Sequence, residues 1–224
     1  MQMTQAIASR EERVADAVVH SIGVVLALLG VPVLITLTAA IDGSGPVIAG
    51  VAVYGAGLLA MLATSALYHL MPASPLGREV LRRCDHAVIY LKIAATQTPF
   101  AILVGGNDAW WMMMVLWTTA LLGATGKALF PRRMGRLAVP LYLVLGWMGM
   151  ALIWPGTDGS AISTATFVLT LVGGGVYSLG VAFYLMDRLR FNIAIWHGFV
   201  LVASFVFYSA VLVEISVRAA SGMV

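Results

Sequence analysis

Long apolar stretches separated by brief polar interruptions occupy most of the chain, at about residues 17–40, 47–71, 88–104, 110–130, 137–154, 162–186 and 193–217. Each approaches the ~17 to 25 residues an α-helix needs to cross the hydrocarbon layer, so the pattern predicts an all-α bundle of seven transmembrane helices. The runs are continuously apolar and lack the period-two alternation of a membrane β-barrel. Their backbone groups must then be satisfied within each helix, because lipid offers no partner. The short interruptions leave no room for a second domain, and no long internal repeat is visible. The predicted organisation is a cytoplasmic N-terminal segment (1–16), one transmembrane domain (17–217) and a C-terminal tail (218–224).

Composition sharpens this reading. With 61% hydrophobic and only 10% charged residues, and a mean hydropathy of +0.95, the chain has too little polar surface to cover a compact body in water. The single cysteine, Cys84, permits no intramolecular disulfide. The net charge of +3 is modest and its cations are clustered in loops, so they report topology rather than a nucleic-acid partner. Arg10 and Arg13 precede the first run. Arg78, Arg82 and Arg83 lie between the second and third, Lys127, Arg132, Arg133 and Arg136 around the junction of the fourth and fifth, and Arg188 and Arg190 between the sixth and seventh. The opposite loops carry Asp42, Asp108 and Asp158. The excess of cations on one side predicts a cytoplasmic N-terminus and an outside C-terminus.

The first run is about 24 residues long, well beyond the roughly 7 to 15 of a signal-peptide core, and Glu11, Glu12 and Asp16 precede it, so it is expected to remain in the mature protein. The acidic trio reads as a cap or staple for the approach to that helix. Trp110, Trp111 and Trp154 fall at outer helix ends as interfacial anchors, with Trp117 and Trp147 in packing positions. Gly173, Gly174, Gly175 and Gly180, with Gly146 and Gly149, offer smooth faces for close helix contact.

Polar side chains at membrane depth are costly and therefore candidates for function. On the predicted topology all four histidines lie toward the cytoplasmic end: His20 near the start of the first helix, His69 at the end of the second, His86 at the start of the third and His197 one turn into the seventh. Three or four His and Asp ligands with an open position is the donor pattern of catalytic zinc. His69, His197, Asp85 and His20 are the candidate metal ligands, set against a reading as interfacial residues with satisfied hydrogen bonds. Asp85 and Ser65 are the candidate catalytic residues, Asp85 as a base beside a metal-bound water and Ser65, four residues before His69, as an orienting group. The alternatives are a loop ion pair of Asp85 with Arg82 and Arg83, and a Ser65 hydroxyl bonded to its own helix. Lys92 is expected to snorkel or to pair with an acid such as Asp16. Glu214 and Arg218 read as an ordinary i,i+4 pair.

Several stretches together resemble the hemolysin III family, the bacterial branch of the progestin and adipoQ receptor group that contains the adiponectin receptors. They are EERVADAVVHSIG from Glu11, SALYH from Ser65, CDHAVIYLKIAATQTPF from Cys84, PLYLVLGWMG from Pro140, GGGVYSLGVAFY from Gly173 and FNIAIWHGFVL from Phe191. The resemblance implies seven helices with a cytoplasmic N-terminus in a bacterial plasma membrane. It also implies a zinc site near the cytoplasmic face: a histidine closing S-x-x-x-H, two from H-x-x-x-H in the last helix, and an aspartate bonded to the zinc-bound water. Ser65, His69, Asp85 and His197 match that pattern. Ile193 stands where the first histidine of the last pair is expected, and it cannot bind a cation. Direct binding by Asp85, or a contribution from His20 or His86, would restore three ligands. Asp16 and Val19 also depart from the family's usual asparagine and threonine.

Three functions follow as expectations. The first is a zinc-dependent hydrolase of lipid amides or esters, serving membrane lipid and fluidity homeostasis. The second is a non-enzymatic membrane sensor, with membrane lipids as its partners and a degenerate metal site. The third is a pore, ranked last because no charged stripe crosses the midplane. Protein partners are not legible in the residues.

Overall fold

The computed structural model describes residues 9–135, 137–154 and 162–222; Arg136 and Asp158, used in the charge argument, lie outside them. Among the described residues the chain is helical, with no strand. Its elements are α1 (Arg10–Ile41), α2 (Gly45–Leu70), α3 (Pro75–Val104), α4 (Gly106–Leu129), α5 (Pro131–Met134), α6 (Ala138–Met148), α7 (Thr164–Tyr184) and α8 (Asn192–Ser221). Six of these, α1 to α4, α7 and α8, are long and apolar enough to cross a membrane. The fifth apolar run forms the shorter α6, continued by a 3₁₀ turn at Gly149–Ala151.

Two helices begin well before their apolar runs, for reasons of capping. At α1 the Ser9 hydroxyl accepts from the Glu12 N–H at 3.2 Å, while the Glu12 carboxylate accepts from the Ser9 N–H at 2.7 Å. This capping box starts the helix seven residues ahead of the hydrophobic pattern, so Glu11, Glu12 and Asp16 are helical residues rather than an approach to a helix. At α3 the Ser74 hydroxyl accepts from Gly77 N–H, and Pro75 occupies the first turn, where its missing donor costs nothing. The expected basic loop between the second and third helices is therefore mostly helix. Glu79 binds Arg82 and Arg83 at 2.8–2.9 Å, so these arginines are not the partners of Asp85 that a loop ion pair required.

Neighbouring helices close a ring in the order α1, α2, α3, α4, α6, α7, α8 and back to α1, and α3 also touches α8. Close approach is bought with glycine where backbones meet: a Cβ on Gly57 of α2 would lie 2.6 Å from Ala95 of α3, and one on Gly180 of α7 would lie 2.6 Å from Phe199 of α8. Side-chain bonds fix which ends lie together. The Arg83 guanidinium donates to Ala128 O, placing the end of α4 beside the start of α3. Tyr142 of α6 donates to His86 O at 2.7 Å, and Gly149 packs on Gln97, so α6 runs alongside α3. Ser163, the cap of α7, donates through both its N–H and hydroxyl to Glu214 near the end of α8.

That last contact makes Glu214 more than half of a surface pair. It is 1% exposed, takes Arg218 Nε at 3.1 Å and accepts from Ser163, the cap of α7, while Arg218 also donates to Leu103 O of α3. At the other end of α8, Arg190 pairs with Glu11, and Phe191 N–H donates to Glu12 at 3.1 Å. The first turn of α1 thus holds the start of α8 in place, which sets the position of His197.

Candidate metal centre

Asp16 and His20 are four apart on α1, and both point inward on the stripe continued by Gly23, Ala27 and Val31. His69 arrives from the last turn of α2 and His197 from the second turn of α8. The three imidazoles meet one another, with ring centroids 5.2 Å apart for His20 and His69, 4.3 Å for His20 and His197 and 4.6 Å for His69 and His197. At their junction is the Asp16 carboxylate. Its Oδ1 is 2.6 Å from His197 Nδ1 and 3.5 Å from His20 Nδ1, and its Oδ2 is 3.1 Å from His69 Nδ1.

The bonds constrain the tautomers. His20 Nδ1 lies 2.8 Å from Asp16 O, and a backbone carbonyl only accepts, so Nδ1 carries the proton. The Nε2 lone pair then accepts from the Ser65 hydroxyl at 3.1 Å. An ionised Asp16 likewise accepts from the Nδ1–H of His197 and His69, which leaves the lone pair of each neutral ring on Nε2. A carboxylate behind a histidine is the usual means of fixing ring orientation and raising ligand basicity.

The sequence expectations fare unevenly here. His69, His197 and His20 come together, and His20 supplies the third imidazole that Ile193 cannot. Ser65 reaches His20 on the neighbouring helix rather than its own helix carbonyl; it is Thr64 that bonds back, to Ala60 O at 2.8 Å. Asp85 lines the same cavity as His20, Ser65 and His197, but the bonds that hold the cluster run through Asp16. His86 turns away, its Nδ1–H donating to Arg82 O at 2.6 Å. Among the described residues Lys92 pairs with neither Asp16 nor another acid but with the Tyr177 hydroxyl, at 2.7 Å. The residue that sequence reasoning missed is Asp16, read as part of a cap; the signal was its i,i+4 spacing from a histidine on an apolar helix.

The donor set is one that can hold a metal ion. Ligand atoms of Asp16, His20 and His197 lie within 4.8 Å of one another, and His69 Nδ1 adjoins the same carboxylate. Nitrogen and carboxylate donors bind zinc at about 2.0–2.2 Å, which puts neighbouring ligands roughly 3.3 Å apart in a tetrahedron. The separations of 2.6 to 3.5 Å around Asp16 run from its carboxylate to the Nδ1 atoms of the three rings and are the distances of its hydrogen bonds and close charge contacts. The Ser65 hydroxyl is a rotor and can release His20 Nε2 without breaking a backbone bond. A cavity of about 150 Å³ opens beside the cluster, lined by His20, His197, Ser65, Asp85 and, deeper, Lys92 and Gln97, with mostly apolar walls.

Comparison with known proteins matches residues 9–208 to the family described as "Haemolysin-III related". "Hemolysin-3" of Bacillus cereus is 34% identical over 214 residues, covering 94% of each chain. "Hemolysin-3 homolog" of Bacillus subtilis (strain 168) is 34% identical over 205 residues, 90% of this chain and 93% of the relative. The human "Monocyte to macrophage differentiation factor" is 28% identical over 165 residues, 71% of this chain and 67% of its own.

Proposed function

This chain belongs to the haemolysin-III related family and is a multi-pass membrane protein; we propose that it is a zinc-dependent hydrolase of lipid amides or esters, working at the cytoplasmic face in membrane lipid homeostasis. The observation that carries the reading is the convergence of three imidazoles and one carboxylate, from three helices, on the edge of an apolar cavity. Scattered structural histidines have no reason to meet.

The topology we propose has seven crossings, with the N-terminus cytoplasmic and the C-terminus outside. Support for the count comes from α6. The chain leaves α4 at the histidine end, where Arg83 binds Ala128 O, and enters α7 at the far end, where Ser163 binds Glu214. One crossing is needed between them, and α6 lies alongside α3 in the right place. The orientation rests on the clustered cations.

His20, His69 and His197 would hold the zinc through nitrogen, and Asp16 would either complete the set or orient the rings. Bound zinc supplies Lewis acidity and a water acidified to near neutrality. Asp85, which lines the cavity, would take and return a proton. Ser65 fixes the His20 ring. The apolar walls accept acyl chains entering from the bilayer and keep bulk water from the reacting carbonyl.

Elemental analysis of protein purified in mild detergent tests the site: about one zinc per chain is expected, and none in His20→Ala/His197→Ala. Release of fatty acid from amide- and ester-linked lipids in bicelles tests the chemistry, with loss expected in Asp85→Asn. A second reading, a non-enzymatic sensor, is favoured by one observation: Asp16 satisfies all three rings by hydrogen bonding alone. Zinc-free native protein would establish that reading in place of the first.

A further inference from the structure

Both lysines of the chain, Lys92 and Lys127, are buried, and only Lys92 has a partner, the Tyr177 hydroxyl. Lys127 stands in the last turn of α4 and is 6% exposed, on the inward stripe of Leu116, Ala120, Gly123 and Ala124. That stripe packs on α3, where a Cβ on Gly123 would lie 2.6 Å from the Tyr90 ring. Lys127 is therefore carried against the start of α3 and does not snorkel out to water. Among the described residues no carboxylate or other acceptor bonds its ammonium. The acid of this junction, Glu79, is already shared by Arg82 and Arg83, and Ala128 O is taken by Arg83.

The junction carries a surplus of positive charge. Two guanidiniums face the single Glu79 carboxylate, and Arg82 is near enough to Lys127 to repel it. Arg82 bonds Glu79 through Nε and one terminal nitrogen, while Arg83 gives Nε to Glu79 and one terminal nitrogen to Ala128 O, so each keeps N–H donors unspent. The short α5 folds back on α4, with Met134 3.5 Å from the place of a Cβ on Gly126, and adds the exposed Arg132 and Arg133. The negative end of the α4 dipole offsets only part of the cost of burying an unpaired ammonium. Its tip is not sealed off. Among the described residues the unpartnered polar atoms shut away from the surface are Tyr90 Oη, Gln97 Oε1 and Thr170 Oγ1, and Lys127 Nζ is not one of them. An anion at this end of the bundle can therefore reach it.

We propose that Lys127, with Arg82 and Arg83, binds the phosphate of an anionic phospholipid such as phosphatidylglycerol, in the leaflet on the histidine side of the bundle. A phosphodiester offers several acceptor oxygens and takes charge-assisted bonds from an ammonium and from guanidiniums together. The surface beside the site suits a lipid. Leu121, Leu122, Leu129 and Phe130 are 53–69% exposed, so the acyl chains would lie against the outside of α4, within the bilayer. A headgroup with net negative charge is favoured over a zwitterionic one, because a choline ammonium would meet Arg132 and Arg133. None of the three binding residues lines the cavity or touches the histidine cluster, so the site does not require zinc. Occupancy ties the stability of the bundle to the anionic lipid content of that leaflet.

The test offers the full chain, in mild detergent, equal amounts of phosphatidylglycerol and phosphatidylcholine with matched chains, and reads the retained lipid by native mass spectrometry. Retention of phosphatidylglycerol should be greater on the order of ten- to a hundredfold, the range of a charge-assisted hydrogen bond. Lys127→Met should bring the two lipids close to equality and Lys127→Arg should keep most of the preference. Arg132→Gln, which removes an exposed charge, should lower it by no more than about fivefold. No preference in the unaltered chain, or an undiminished one in Lys127→Met, overturns the proposal; so does an equal loss in Arg132→Gln and Lys127→Met, which would show surface charge without a site. Millimolar glycerol 3-phosphate should leave the lipid in place, and displacement by it would overturn the lipid assignment in favour of a soluble phosphate. Methionine is close to lysine in size and uncharged, so Lys127→Met should fold, with an unfolding midpoint above that of the unaltered chain in phosphatidylcholine and below it in phosphatidylglycerol. The same shift in both lipids counts against the site, and Lys127→Gln carries the same test if Lys127→Met does not fold.

Discussion

Two buried carboxylates, Asp16 and Glu214, lie at opposite ends of the bundle, and their partners set them apart. Glu214 faces a guanidinium, a backbone N–H and a hydroxyl, groups that only complete its bonding. None of them carries a basic lone pair that a metal or a substrate would use, and Arg218 closes the arrangement by bonding α3. Asp16 faces three imidazoles, each with a basic lone pair on its second nitrogen, that of His20 accepting from the Ser65 hydroxyl, beside a cavity. His197 and Glu214 are seventeen residues apart on α8, about 26 Å at the helical rise. One helix therefore carries a structural clamp at one end and a histidine–carboxylate cluster at the other. Burial alone does not distinguish them; the chemistry of the partner does.

The largest effect is expected at the clamp. Glu214→Ala removes the carboxylate that Arg218 and Ser163 share, and should destabilise the protein by about 3–5 kcal/mol, read as a lowered midpoint of thermal unfolding in detergent. Zinc content of the fraction that remains folded should be unchanged; a parallel loss of zinc would erase the distinction between the two ends. Asp16→Asn should do the reverse. An amide still offers one acceptor oxygen, but turns an N–H₂ donor toward a ring that also donates, so one imidazole loses its orientation. Zinc affinity, measured by competition with a chelating dye, should fall by roughly 10- to 100-fold with little change in unfolding midpoint.

Much of this architecture was legible in the residues. Apolar runs located every long helix, since the length of a membrane span is set by the bilayer. They missed the first turns of α1 and α3, because those turns are polar and are started by Ser9, Glu12, Ser74 and Pro75 rather than by hydrophobicity. The histidines were visible as expensive groups at membrane depth. Asp16 was not, because an acid near a helix start has an ordinary role as a cap, and only the packing of α1 between α2 and α8 gives it another. The pairing of Lys92 with the Tyr177 hydroxyl was equally hidden, since what lies within its reach depends on how helices pack. The departure at Ile193 was plain in the chain, whereas its consequence depended on where the His20 ring turned.

That departure supplies the next test. In the family pattern the chain resembles, asparagine and histidine stand where this chain has Asp16 and Ile193, so both changes bear on the same donor set. If Asp16 with His20 replaces the missing imidazole, Ile193→His alone should raise zinc affinity only slightly. The same substitution added to Asp16→Asn should recover most of what that variant loses. The coupling is read from a double-mutant cycle of dye-competition affinities. Additive effects would mean that Asp16 orients the rings without standing in for a ligand.

The smallest effect is expected at Ser65. Its hydroxyl holds one nitrogen of His20, whose other nitrogen is already fixed by Asp16 O on the same helix. Ser65→Ala therefore removes one of two restraints on a buried ring and leaves the ligating lone pair intact. One net hydrogen bond of about 0.5–1.5 kcal/mol is at stake, so zinc affinity and unfolding should each shift by less than roughly tenfold in the underlying equilibrium. If a metal occupies His20 Nε2, the Ser65 bond is absent in the loaded protein, and the variant should lower the stability of the stripped protein only. Equal destabilisation with and without zinc would show that Ser65 still holds the ring in the loaded protein, and that His20 then orients the cluster while His69, His197 and Asp16 do the binding.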